Sequence, residues 1–336
     1  MAARRLQAGL TMHGFHVRQA DLTLPLRQGP LCQGALTEEP NVAPGPGTLL
    51  VHVNGPMLPW ALVALGGRAV AGKRVIAVWN WELPVLPTDW NRGFKCCHEI
   101  WAASRFTAEA LSGSVPVRHV PYPVLPASPA AMGRDAFGLP HDAFVALQVF
   151  DAASSIARKN PAASIAAHHK AFGDDPSQIL LLKVHNTARA GAAWGEVASL
   201  AAMYRNVRIL DASMSEAELS ALILACDVLL SLHRAEGFGF TLAEALALGR
   251  PVVATGWSGN VDFMDASGAH AVPYRLLPAT DMQKIYDLPG AFWADPDLTV
   301  AAVLLRRVFE NPEFRRPPPK AFPPPNYHSL LNTLES

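Results

Sequence analysis

The sequence of 336 residues is poor in charge and balanced in the charge it has: 17% of its residues are charged, 28 basic against 28 acidic, and the formal net charge is zero. A nucleic-acid binder needs a positive field that gathers phosphates, and this composition supplies none, so nucleic acid is excluded as the principal partner. Cysteine is scarce as well. Cys32, Cys96, Cys97 and Cys226 lack the paired spacing of a zinc site or a disulfide framework and read as ordinary reduced thiols. No apolar run reaches the roughly 18 residues of a membrane span, and the N-terminus has no long apolar core of a secretory signal. The expected location is the cytoplasm. Residues 1–125 hold 11 basic and 7 acidic residues, an excess that leaves peripheral contact with the inner membrane face open beside the plainer reading of a solvated surface.

What is present is apolar material, 50% of the chain, enough for about two domains. Strand and helix patterns alternate throughout, which is the signature of parallel α/β architecture. Strands are expected at 15–19, 49–54, 74–79, 99–102 and 117–120, with helical patterns such as 61–65 and 106–111 between them. Four prolines between 121 and 129 interrupt regular structure, as an interdomain linker would. Strands resume at 144–150, 179–184, 207–210, 228–232 and 252–255. Ser215 and Glu218 form a capping box, and 297–309 reads as a strong helix. The expected organisation is a Rossmann-like domain over 1–125, a linker over 126–143, a second Rossmann-like domain over 144–295, and a terminal helix and tail over 296–336 returning toward the first domain. Two such doubly wound sheets would place a ligand cleft at the C-terminal ends of their strands.

The chemistry concentrates between Ser231 and Phe263. An apolar strand leads into Glu236, then Gly237, Phe238, Gly239, Phe240, Thr241 and Leu242, and a helix rich in Ala and Leu follows that carries Glu244 and stops near Gly249 and Pro251. This arrangement aims the backbone amides near 239–242 and the positive end of a helix dipole at whatever lies above the strand ends. Glycines at 237 and 239 let a diphosphate approach the backbone, and Glu236 is placed to accept hydrogen bonds from sugar hydroxyls. Glu244 has a plainer alternative, a capping box with Thr241. The segment does not fit the dinucleotide fingerprint, because Leu242 stands where its last glycine belongs.

The loop after the strand at 144–150 ends in Arg158, Lys159, Asn160 and Pro161, with Asn160 expected as N-cap and Pro161 opening the helix. Arg158 and Lys159 are then placed to clamp a diphosphate, the alternative being a solvated basic pair. Glu82 follows the strand at 74–79 and reads either as a cleft residue or as a turn carboxylate; Trp79 and Trp81 either pack in the core or stack on a sugar. Asp295 and Asp297 have the spacing of a metal pair but precede a helix, where capping explains them better. His168 and His169 are adjacent on a helix and do not share a face. No metal or cofactor is expected.

The pattern Glu236-x7-Glu244, with Gly249-Arg250-Pro251-Val252-Val253-Ala254-Thr255-Gly256 after it, resembles the donor site of family-four retaining glycosyltransferases. Residues 79–84, 99–106, 150–161 and 292–298 agree with it in order and spacing and resemble a bacterial polysaccharide-type subgroup. The resemblance implies the two-domain GT-B fold and transfer of a hexose from a nucleoside diphosphate sugar to a glycan or lipid-linked glycan. It assigns Glu236 to the transferred sugar, Glu244 to the ribose, Lys159 and Arg158 to the diphosphate, and Glu82 to the acceptor side. Family members open with a strand and a Gly-rich loop, whereas residues 1–10 read as the first helix, so both are expected to be absent and transfer to be weak. A GT-B phosphorylase or epimerase, and a non-catalytic donor-binding subunit, are the other readings.

Overall fold

The computed structural model describes residues 2–22, 26 and 42–331; Cys32 lies outside them. The chain divides into two compact units, Met1–Pro123 with Pro323–Ser336, and Val124–Phe322.

The first unit opens with the helix Ala2–Met12 and holds a parallel sheet of β1 (Gly47–Val51), β2 (Lys73–Trp79), β3 (Glu99–Ala102) and β4 (Val117–His119), in that spatial order. The strand expected at 15–19 is absent. Gly14 takes φ 81° and Phe15 N–H donates to Leu10 C=O, so the chain leaves the helix in a reversing turn, and Phe15 packs on the His328 ring instead of pairing with a sheet edge. Trp79 and Trp81 are core residues, each in edge contact with Trp90 at 5.3 and 5.1 Å. Residues from Pro323 onward group with this unit, where Tyr327 is buried beside Trp101 and His13.

The second unit is built on a six-stranded parallel sheet in the order β10-β9-β8-β5-β6-β7. Its members are β5 (Phe144–Asp151), β6 (Gln178–His185), β7 (Val207–Asp211), β8 (Val228–Ser231), β9 (Val252–Thr255) and β10 (Ala269–Val272). An antiparallel pair, β11 (Tyr274–Pro278) and β12 (Phe292–Pro296), follows. β5 and β6 are buried over nearly their whole length, as strands covered by helices on both faces must be, and this is why they read as continuous apolar runs. The sheet order reverses between β5 and β8, and ligands of such sheets bind outside the strand ends at that reversal.

The helix Leu298–Glu310 does not leave this unit. Its apolar stripe packs on the helix Pro161–Phe172, and Phe309 and Phe172 close around Phe144 with ring centroids 5.3 to 5.6 Å apart. Asp297 caps it by accepting from Thr299 and Val300 N–H, and Asp295 pairs with Arg275, so the two aspartates divide a cap and a surface ion pair between them.

His168 is fully buried on the helix Pro161–Phe172, and neither ring nitrogen finds a hydrogen-bond partner. Burial, with His169 beside it, lowers its pKa from 6.5 to about 4. A folded-state pKa depressed in this way contributes stability that is complete above 6.5 and is lost as pH falls through about 4. The term is on the order of 3 kcal/mol. Replacing His168 with Leu is expected to flatten the fall in melting temperature between those two pH values, as followed by calorimetry.

Candidate active site

The loops that leave β5 and β8 meet at the sheet reversal. After β5 the chain makes a 3-10 turn, Ala152–Ser154, and one turn of helix, Ile156–Lys159, before Asn160 and the long helix. After β8 it runs through Glu236 to Gly239, which has φ 90° and is the N-cap of the helix Phe240–Ala247. Only glycine holds that φ without penalty, which explains position 239 independently of any ligand.

The Lys159 ammonium donates to Glu236 Oε1, and Arg158 Nη1 lies 3.5 Å from the same oxygen. Three charged side chains separated by 77 residues of chain thus converge within a buried site. Burial alone would push the Glu236 carboxyl up. The Lys159 ammonium, then the Arg158 guanidinium, outweigh it and hold the pKa at about 2, against an ordinary 4.5. Glu236 is therefore a carboxylate at any physiological pH, and the stability it lends is lost only as pH falls from 4.5 toward about 2.

Both main-chain polar groups of each partner are fixed. Lys159 N–H donates to Ser155 C=O at 3.1 Å and its carbonyl accepts from Gln148 Nε2 at 2.9 Å. Glu236 N–H donates to Ser258 Oγ at 2.8 Å and its carbonyl accepts from Gly259 N–H at 2.8 Å. The loops after β8 and β9 touch at their closest limit, because a Cβ on Gly259 would stand 2.1 Å from Gly237 C=O.

The other residues singled out from the sequence have separate roles. Arg158 is 3% exposed, and its guanidinium donates to the carbonyls of Ser154 and Ala235 while lying 5.2 Å over the Tyr286 ring. Its side chain braces the two loops against each other. Asn160 stands at the N-cap position with φ 51° but caps nothing; its amide donates to Leu232 C=O and ties the turn to the end of β8. Glu244 is 6% exposed in the second turn of its helix, and because the N-cap is Gly239, Thr241 lies inside the helix and no Thr241–Glu244 capping box forms. Phe238 and Phe240 pack edge to face at 5.0 Å, and Phe238 also meets Phe263. Thr241 and Leu242 belong to the first turn of the helix.

His233 is fully buried, with Nε2 3.0 Å from Asn260 Oδ1 and Nδ1 3.0 Å from Ser231 Oγ; burial lowers its pKa, so the ring stays neutral and serves as a strut. Glu82 lies in the loop after β2 in the first unit, half-buried. Ser104, also in the first unit, caps the helix Arg105–Ala110 by accepting from Thr107 N–H.

Several residues of this site carried no sequence signal. Gln283 plugs the start of the Ile156–Lys159 turn, its Oε1 accepting from Ile156 N–H at 2.6 Å and its Nε2 donating to Ala152 C=O at 3.0 Å. Arg234 brackets the same turn from the other side, with N–H to Arg158 C=O at 2.7 Å and Nη1 to Ala157 C=O at 2.8 Å. Beside the turn lies a depression of about 720 Å³ lined by Asp151, Ser154, Arg189, Gly191, Met282 and Gln283 among others.

Residues 183–287, which include Glu236, Glu244 and the intervening loop, match the family model described as glycosyl transferases group 1. The chain has the GT-B fold. TarM of S. aureus, solved with fondaparinux, alpha-GlcNAc-glycerol and UDP, superposes with a TM-score of 0.56 at 10% identity over 79% of this chain and 49% of that one. Sucrose-phosphate synthase from Thermosynechococcus elongatus gives 0.59 at 18% identity over 80% and 66%. A UDP-forming trehalose-phosphate synthase from Burkholderia xenovorans, in complex with glucose-6-phosphate, gives 0.59 at 13% over 80% and 67%. The chain thus spans about half of the first of these proteins and just under two thirds of the second. No curated protein matches the sequence.

The charge cluster makes a direct prediction. Lys159→Met should let Glu236 titrate nearer the ordinary carboxylate range, read from the carboxyl 13C shift. It should also cost about 2 kcal/mol of stability, because a buried carboxylate loses its principal partner while Arg158 remains.

Proposed function

We propose that this protein is a retaining glycosyltransferase that moves a hexose from a nucleoside diphosphate sugar to a glycan or lipid-linked glycan. The observation that carries the reading is the contact of Lys159 with Glu236 beside the N-terminus of the helix Phe240–Ala247. A cation and a helix N-terminus are what a departing diphosphate needs: each stabilises negative charge, and the charge of the leaving group grows as the glycosidic bond breaks. When a donor binds, its diphosphate takes over the Lys159 ammonium and the first-turn amides at 240–242. Glu236, released from that pairing, accepts from hydroxyls of the transferred sugar. Glu244 takes the ribose hydroxyls. The acceptor hydroxyl attacks the anomeric carbon from the face the diphosphate leaves as the bond to the diphosphate oxygen breaks, and its proton passes to that departing oxygen, so no protein nucleophile is required. Glu82, in the first unit, is assigned to the acceptor, and Arg158 contributes by keeping Lys159 and Glu236 in reach of each other.

The resemblance to family four and to its polysaccharide-type members supports the retaining outcome and the glycan acceptor. Work at the inner membrane face suits a lipid-linked acceptor and a cytoplasmic nucleotide sugar. Under the competing reading of a donor-binding subunit, nucleotide affinity would be kept with no transfer.

Lys159→Ala and Glu244→Ala are each expected to weaken nucleoside diphosphate binding about tenfold or more in titration calorimetry, a loss of roughly 1.4 kcal/mol. Unchanged affinity in both variants would remove the assignment. NMR of the first-formed product distinguishes the mechanisms, since retention requires the anomeric configuration of the donor to survive.

A further inference from the structure

Two serines in the second unit hold backbone conformations that non-glycine residues avoid. Ser155 has φ 73° and ψ 109°, and Ser258 has φ 74° and ψ −153°. Such conformations cost energy and persist only where surrounding contacts impose them. Both residues are buried, at 0% and 6% exposure, so neither conformation is relaxed by solvent. Glycine would adopt either one freely. What serine has and glycine lacks is the hydroxyl, and both hydroxyls are engaged at the same place.

Ser155 Oγ accepts from Arg158 N–H at 3.1 Å while its carbonyl accepts from Lys159 N–H at 3.1 Å. Ser258 Oγ accepts from Glu236 N–H at 2.8 Å and donates to the carbonyl of Trp257. One strained serine therefore grips each half of the Lys159–Glu236 contact, on loops that follow different strands, β5 and β9. The next residue after Ser258, Gly259, takes the Glu236 carbonyl, so the dipeptide closes on both sides of that peptide unit.

We propose that Ser155 and Ser258 are positioning residues of the transfer site: their hydroxyls, on Arg158 N–H and Glu236 N–H, hold the strained backbones in place, so that the Ser155 carbonyl on Lys159 N–H and the Ser258 hydroxyl on Glu236 N–H aim the ammonium and the carboxylate at each other. The proposal rests on the glycosyltransferase reading for what the aimed groups do, and on the hydrogen bonds alone for how they are aimed. Ser258→Gly removes the hydroxyl and relieves the backbone; Ser258→Ala removes the hydroxyl and keeps the strain. The two variants separate an aiming role from a stabilising one.

The test measures donor turnover, melting temperature and the carboxyl 13C titration of Glu236 in the full chain and in both variants. Positioning requires kcat to fall at least about tenfold in each variant with a smaller change in donor KM, as expected when a reacting group is misplaced. It also requires Glu236 to titrate higher in both, while Ser258→Gly melts above Ser258→Ala. Ser258→Gly with kcat within about twofold of the unchanged chain and the Glu236 titration where it was would overturn the proposal. So would turnover that merely follows melting temperature, with the Gly variant the more active. If the unchanged chain turned over no donor, the functional reading would fall, and the Glu236 titration would still decide the role of Ser258.

Discussion

The contact between Lys159 and Glu236 is the point on which the second unit is organised. A buried carboxylate without a cation costs several kcal/mol, so the pairing of Glu236 with Lys159 and Arg158 favours this arrangement of the two loops that carry them. The surroundings follow from that requirement. Arg158 adds a second cation to the same carboxylate and spends its remaining donors on the carbonyls of Ser154 and Ala235, and Arg234 returns the connection by holding the carbonyls of Ala157 and Arg158. Each loop is held by the other.

Such a pair is useful as well as structural. A lysine and a glutamate that satisfy each other have low net charge and little call on solvent, yet either can exchange its partner for a ligand of matching chemistry. Phosphate for the one and hydroxyl groups for the other are the natural exchanges, and a nucleotide sugar offers both in one molecule. The helix Phe240–Ala247 points its N-terminus, and with it the positive end of its dipole, toward the same loop, and it carries Glu244 one turn further in.

Much of this was legible in the sequence, for identifiable reasons. The buried strands declare themselves because a strand covered on both faces must be apolar at every position, and β5, β6, β8 and β9 fall within a residue or two of the runs that announced them. Gly239 and the helix after it were readable because glycine and helix formers are local signals. The segment at 15–19 misled because alternation predicts a strand only where a sheet edge is available to pair with it, and here Gly14 turns the chain toward the packing around His328. Asn160 is the N-cap and Pro161 opens the helix, as expected, but the Asn160 amide makes no capping bond because it donates to Leu232 C=O, from a segment 72 residues away. Ser155, Gln148 and Gln283 were invisible because their importance is a matter of which distant backbone group they meet, and at Ser258, in a segment after a strand that read as framing the pocket, the role of the hydroxyl was hidden for the same reason. A serine at φ near 74° has no sequence signature, since propensity argues for glycine there.

The two flanks of the charged pair differ in how much change they can absorb. On one, Gly237 and Gly259 are in backbone contact, and no substituent at 259 could be housed without prising the loops apart. On the other, the depression beside the Ile156–Lys159 turn is bounded in part by Met282 and Ile285, whose exposed side chains can be lengthened or shortened without touching the core. Variation in what the molecule accommodates therefore has an outlet in one direction only, and the rigid flank acts as the fixed jaw against which the adaptable one is set.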